Sequence, residues 1–132
     1  MGEVARTAAA ARLVAAAWLA RSTGDTARAV ALAARAVDSE VLGAELPWVL
    51  ALEQEGDLLL DLGRAADAAR VYAKSLSLMP HRARSLFGDA RAAELTGDLA
   101  TARALSGVCG SDGRGWARPE LAAARRFVTA AR

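Results

Sequence analysis

The sequence predicts an all-α protein, a stack of about three helical hairpins closed by a C-terminal capping helix, and three observations carry that reading. The apolar share is 54%, supplied largely by Ala, and Ala, Leu, Arg and Glu all favour helix. Apolar residues recur at i, i+3 and i+4 on either side of glycine-containing breaks. The stretch TGDTARAVA at residues 23–31 returns as TGDLATARA at 96–104.

Each element follows from these signals. The first 20 residues resemble a secretory leader in being Ala-rich, but Glu3 stands where a basic start belongs and Arg12 interrupts the apolar run. They are therefore read as an amphipathic helix over about 5–22, followed by a second over 25–38. Pro47 opens a third at about 47–62, and Gly63 separates it from a fourth at 65–78. Pro80 ends that hairpin, and helices over about 81–96 and 98–107 make the next. The stretch CGSDGRGW is too rich in glycine for regular structure, so residues 109–117 are expected to be a linker. A seventh helix, 118–131, opens at Pro119 and turns Leu121, Ala124, Phe127 and Val128 inward as a cap.

The turns have a common grammar. Gly24, Gly63 and Gly97 suit the left-handed position after a helix. Asp25 and Asp98 can cap the helix that follows, whereas Arg64 cannot. Gly63 and Gly97 are 34 residues apart, and so are Leu52 and Leu86, Ala68 and Ala102, and Val71 and Leu105. Gly24 precedes Gly63 by 39, which places about five extra residues in VLGAELPW.

A period of 34 with a Gly turn between paired helices resembles the tetratricopeptide repeat. The middle unit, about 49–82, carries the likeness best: Leu52, Gly56, Leu59, Ala68, Tyr72, Ser75 and Pro80 stand at the family's large, small, large, Ala, aromatic, small and Pro positions. The units at about 5–40 and 83–108 are looser, with Ala20 and Ala33 where bulk is usual and Ser106 for the aromatic. Glu55 and Asp89 replace the customary Leu of the first helix. Residues 45–127 further resemble the C-terminal repeats of large bacterial tetratricopeptide-repeat proteins, which implies the end of a longer array. The likeness implies a single right-handed superhelical domain.

It also implies a function. In the family, first helices line a concave groove that takes proteins or peptides. Carried over, the groove positions are Ala11, Val14, Trp18 and Arg21, then Leu50, Glu53, Asp57 and Leu60, then Arg84, Phe87, Arg91 and Glu94. The Lys and Asn clamp with which some members grip a C-terminal carboxylate is absent. Glu53, Asp57, Arg84 and Arg91 serve equally well to pair across neighbouring helices. Trp18 and Phe87 can be packing residues or interface anchors, while Trp48 is expected to pin the insertion and Trp116 to dock the last helix.

Chemistry is not indicated. Net charge is +2, from 17 basic and 15 acidic residues without blocks, so no nucleic-acid footprint is expected. No apolar run nears the roughly 18 residues that would span a membrane. His81 is read as a solvated turn residue, and the single Cys109 as a packing residue whose lack of a partner fits a reducing, cytoplasmic compartment. GSDGRG lacks the Lys-Ser/Thr ending of a phosphate loop. Glu53, Asp57 and Asp61 form an i, i+4, i+8 row read as a solvated acidic face. No catalytic residue, metal or cofactor is expected. The leading expectation is a non-catalytic protein- or peptide-binding adaptor or scaffold. Two alternatives stand beside it: a self-associating structural unit forming a homo-oligomer, and a small-molecule binder or helical enzyme using Trp18, Phe87, Arg91 and the acids.

Overall fold

The computed structural model describes residues 2–41, 50–111, 126 and 128–130. Six helices follow one another: α1 Glu3–Ser22, α2 Thr26–Val41, α3 Leu50–Asp61, α4 Ala65–Leu78, α5 Ala83–Thr96 and α6 Leu99–Ser111. They form three hairpins, and no strand occurs among the described residues. The first helices of successive hairpins, α1, α3 and α5, touch directly, so they line one side of the stack.

The three hairpin turns share one hydrogen-bond scheme. Gly24, Gly63 and Gly97 have φ of +83°, +74° and +84°, and every positive φ among the described residues belongs to these glycines. The amide after each glycine reaches back five residues: Asp25 to the Ala20 carbonyl at 2.9 Å, Arg64 to Leu59 at 2.8 Å, and Asp98 to Ala93 at 2.9 Å. These bonds satisfy carbonyls that the ending helix leaves open, and only glycine holds that backbone without strain. The next helix then starts from an acid in two hairpins. Asp25 Oδ1 accepts from the Arg28 amide and Asp98 Oδ1 from the Thr101 amide, both at 3.1 Å. In the middle hairpin Arg64 has no such cap bond, and its guanidinium instead meets Asp67 in the first turn of α4 at 2.6 Å.

Asp25→Ala is expected to destabilise the chain by about 1 kcal/mol in urea unfolding, the usual effect of losing a helix cap. Asp98→Ala acts in the same direction. The bonds from Thr101 hold the Asp98 carboxyl below its ordinary range, so its contribution is present above about pH 4 and lost as pH falls.

Two helix ends differ from expectation. α6 continues through Gly107 to Ser111 instead of stopping at 107, so the first three residues of the expected 109–117 linker are helical. A helical glycine costs only about 1 kcal/mol relative to Ala, too little to end a helix by itself. Likewise α2 runs to Val41 because the stripe Ala33, Ala36, Val37 and Glu40 stays buried to its end. Of the expected capping helix 118–131, residues 126 and 128–130 are helical. Its other positions, with Trp48, Trp116 and the Cys109 side chain, lie outside the described residues.

The core rests on close helix approach. Ala17, Ala20, Ala29 and Ala33 cluster between α1 and α2, and Leu58 of α3 fills the room left at Ala20 and Ala33. In the second hairpin Tyr72 of α4 is fully buried. Its ring lies between two glycines: a Cβ on Gly56 of α3 would fall 2.6 to 2.9 Å from ring carbons, and one on Gly88 of α5 closer still.

Glu55 and Asp89, the two acids at customary Leu positions, are partly buried. Burial pushes both carboxyls above their ordinary values of 4.5 and 3.8, with Lys74 partly offsetting it at Glu55. Such groups hold a proton to higher pH when folded than when unfolded. The stability they add is therefore full below about pH 4 and is lost as pH rises through the folded values. Asp89→Leu is expected to raise stability at pH 7 by about 0.5–2 kcal/mol and to flatten its fall above about pH 4, read by urea unfolding from about pH 4 upward.

Candidate partner-binding face

The face formed by α1, α3 and α5 divides into a polar lattice and an open cleft. The acidic row of α3 faces three arginines, and each carboxylate takes a different one. Asp61 Oδ2 accepts from Arg21 Nε of α1 at 2.7 Å. Asp57 accepts from the Tyr72 hydroxyl at 2.5 Å and pairs with Arg84 of α5. Glu53 is held by both Nε and Nη2 of Arg82, at 2.7 and 2.8 Å, and by the Ser85 hydroxyl at 2.8 Å. Ser85 in turn shares a 2.7 Å hydrogen bond with Ser75 of α4. Farther along, Arg91 and Glu94 pair within α5 at 2.6 Å.

Burial sorts these pairs by consequence. The Arg21–Asp61 side chains are 37% and 48% exposed, so their attraction is screened and contributes about 0–1 kcal/mol. Glu53, by contrast, is fully buried. That corrects its reading as a groove contact and as a member of a solvated row: its carboxylate is spent inside the protein, where it ties α3 to the start of α5. The Tyr72 hydroxyl is likewise committed, and burial together with its bond to Asp57 pushes its ionisation far up.

The cleft lies between α1 and the start of α3. Ala10, Ala11 and Val14 of α1 stand opposite Leu50 and Ala51 of α3 around about 300 Å³, with Thr7, Gln54 and Glu40 completing the wall. Gln54 is steadied by the Trp18 indole, whose Nε1 donates to its Oε1 at 3.0 Å. Glu40, from the end of α2, accepts from the Ala51 amide at 2.6 Å and so caps α3 from outside that helix. Burial pushes its carboxyl above the ordinary 4.5, outweighing the Ala51 bond and the nearby Arg82.

Of the positions named from sequence, Ala11, Val14 and Leu50 come together at the cleft. Trp18 borders it through Gln54. Leu60 packs partly buried near Tyr72, and Phe87 is partly buried on α5. Sequence reasoning missed Glu40, Arg82 and Gly88. The first had a signal, since Ala29, Ala33, Ala36, Val37 and Glu40 fall on one helical stripe. So did the last, since a glycine inside α5 with no turn to make needs a packing reason.

No group of three or more metal-ligating side chains occurs among the described residues. None of the described helices is long and apolar enough to cross a membrane.

With this geometry in place, the comparison with solved structures adds a fold. The crystal structure of PcrH from Pseudomonas aeruginosa superposes with a TM-score of 0.71 at 17% identity, over 92% of this chain and 89% of that one. The chain folds as a tetratricopeptide-like helical repeat. No family model matches the sequence, and no curated protein matches it.

Proposed function

We propose that the chain is a non-catalytic protein- or peptide-binding module, an adaptor or scaffold that holds a partner segment along α1, α3 and α5. The observation that carries this reading is the cleft between α1 and α3. It opens at Ala11, Val14 and Leu50, three positions where the repeat resemblance puts partner contacts, and Leu50 is left 47% exposed. An apolar depression with a few polar groups at its wall suits an anchoring side chain. Trp18, Arg21, Asp57, Leu60, Arg84, Phe87, Arg91 and Glu94 would form the rest of the track, with the ion pairs keeping register at its rim. Nucleic acid and membrane are not proposed as partners. A cytoplasmic, bacterial setting and a place at the end of a longer array belong to the same reading.

A second reading, self-association, draws support from Leu19, Leu95 and Leu99, which are 66%, 51% and 46% exposed near the Gly24 and Gly97 turns. Light scattering over a concentration range separates it, since a strict monomer removes it.

Selection of a displayed random 12-residue peptide library on the full chain tests the first reading. Peptides should be enriched, and Leu50→Asp or Ala11→Phe, both at exposed positions, should lose them while helicity by circular dichroism is kept. No enrichment, or enrichment indifferent to both variants, would count against it.

A further inference from the structure

The wall of the cleft is unevenly built. Ala10, Ala11 and Val14 on one side and Leu50 on the other are apolar, and among the described residues the single ionisable side chain lining it is Glu40. That residue is only 9% exposed. One carboxylate oxygen, Oε2, is taken by the Ala51 amide at 2.6 Å. Arg82, the nearest compensating cation, is committed to both oxygens of Glu53. The Glu40 carboxylate thus faces the cleft with a neutral amide and, among the described residues, no guanidinium bonded to it, and burial raises its pKa. An arriving cation would supply what burial has removed.

We infer that the cleft selects a basic side chain of the partner, a lysine or arginine whose methylenes lie on Ala10, Ala11, Val14 and Leu50 while its cation meets the Glu40 carboxylate. This rests on the groove reading and names the partner chemistry within it. The shape fits the division of such side chains into an apolar stem and a charged head, and an acidic anchor is rejected by the same carboxylate. About 300 Å³ leaves room for one long side chain with an apolar neighbour.

The side chain of lysine is n-butylammonium, so that ion is the probe and n-butanol its uncharged counterpart. Each is titrated into the full ¹⁵N-labelled chain and followed by amide shifts. The ammonium should shift Val14, Glu40, Ala51 and Gln54 and bind about tenfold tighter than the alcohol, as a charge-assisted hydrogen bond predicts. Glu40→Gln, which keeps an acceptor for the Ala51 amide, should abolish that difference. Ala11→Phe, which fills the cleft from an exposed position, should abolish the shifts altogether. In the peptide selection, Lys and Arg should be enriched on the native chain and not on Glu40→Gln. Equal binding of the two probes, or no shift at the cleft, overturns the inference. Neither result bears on whether displayed peptides are enriched and lost in the Leu50 and Ala11 variants, so failure of the basic anchor and failure of the groove are told apart.

Discussion

Arg82→Ala is expected to lower stability by about 3 kcal/mol in urea unfolding, the largest effect of any single surface-reaching side chain described above. The reason lies in its partner. Glu53 has no solvent exposure, and Arg82 supplies two of its three hydrogen bonds. Removing the guanidinium leaves a buried carboxylate with Ser85 alone, and the desolvation of that charge is no longer offset. Arg84→Ala provides the contrast, because its pair with Asp57 is 49% and 29% exposed and should be worth about 0–1 kcal/mol. Adding Glu53→Gln to Arg82→Ala should recover part of the loss, since the uncompensated charge is then gone. A loss below about 1 kcal/mol for Arg82→Ala would show that water, not arginine, satisfies Glu53.

Gly88→Ala should destabilise by about 1–3 kcal/mol, although the same change at an exposed helical glycine would stabilise by about 1 kcal/mol. The sign decides whether Tyr72 is clamped. Its ring is held between Gly56 and Gly88, and its hydroxyl is fixed by Asp57, so it has no direction in which to yield to a new methyl group. In a Tyr72→Leu background the clash disappears, and Gly88→Ala should turn neutral or stabilising. That non-additivity, measured as a double-mutant cycle, is the signature of direct contact. Because the Tyr72 ring lies between α3 and α5, the pair of glycines also sets how closely those two helices approach it.

What could be read from the sequence is what the period repeats. Gly24, Gly63 and Gly97 announce their turns because each ends an apolar stripe, and Asp25 and Asp98 announce their caps. Tyr72, Gly56 and Ala68 stand where the 34-residue pattern puts them. Gly88 does not: its counterpart one period earlier is Gln54, so the clamp on Tyr72 breaks the repeat. The pairing of the acidic row was hidden for a different reason. The three carboxylates of that row and several arginines near α1 and α5 leave many matchings, and only the packing angle of the helices selects Arg82, Arg84 and Arg21. Glu40 was readable as buried from its stripe, but its place on the wall of a cleft depends on where α2 ends relative to α3. α6 outran its expected end because one helical glycine costs only about 1 kcal/mol and does not stop a helix by itself.

Partner segments are expected to dock on the face of α1, α3 and α5 with their anchor in the cleft. Amide-shift mapping of the full chain with one enriched 12-residue peptide tests it most directly. Shifts should concentrate at Ala11, Val14, Trp18, Leu50, Gln54 and Phe87. Shifts concentrated instead on the exposed sides of α2, α4 and α6, at Arg28, Arg35, Lys74 and Arg103, would contradict it.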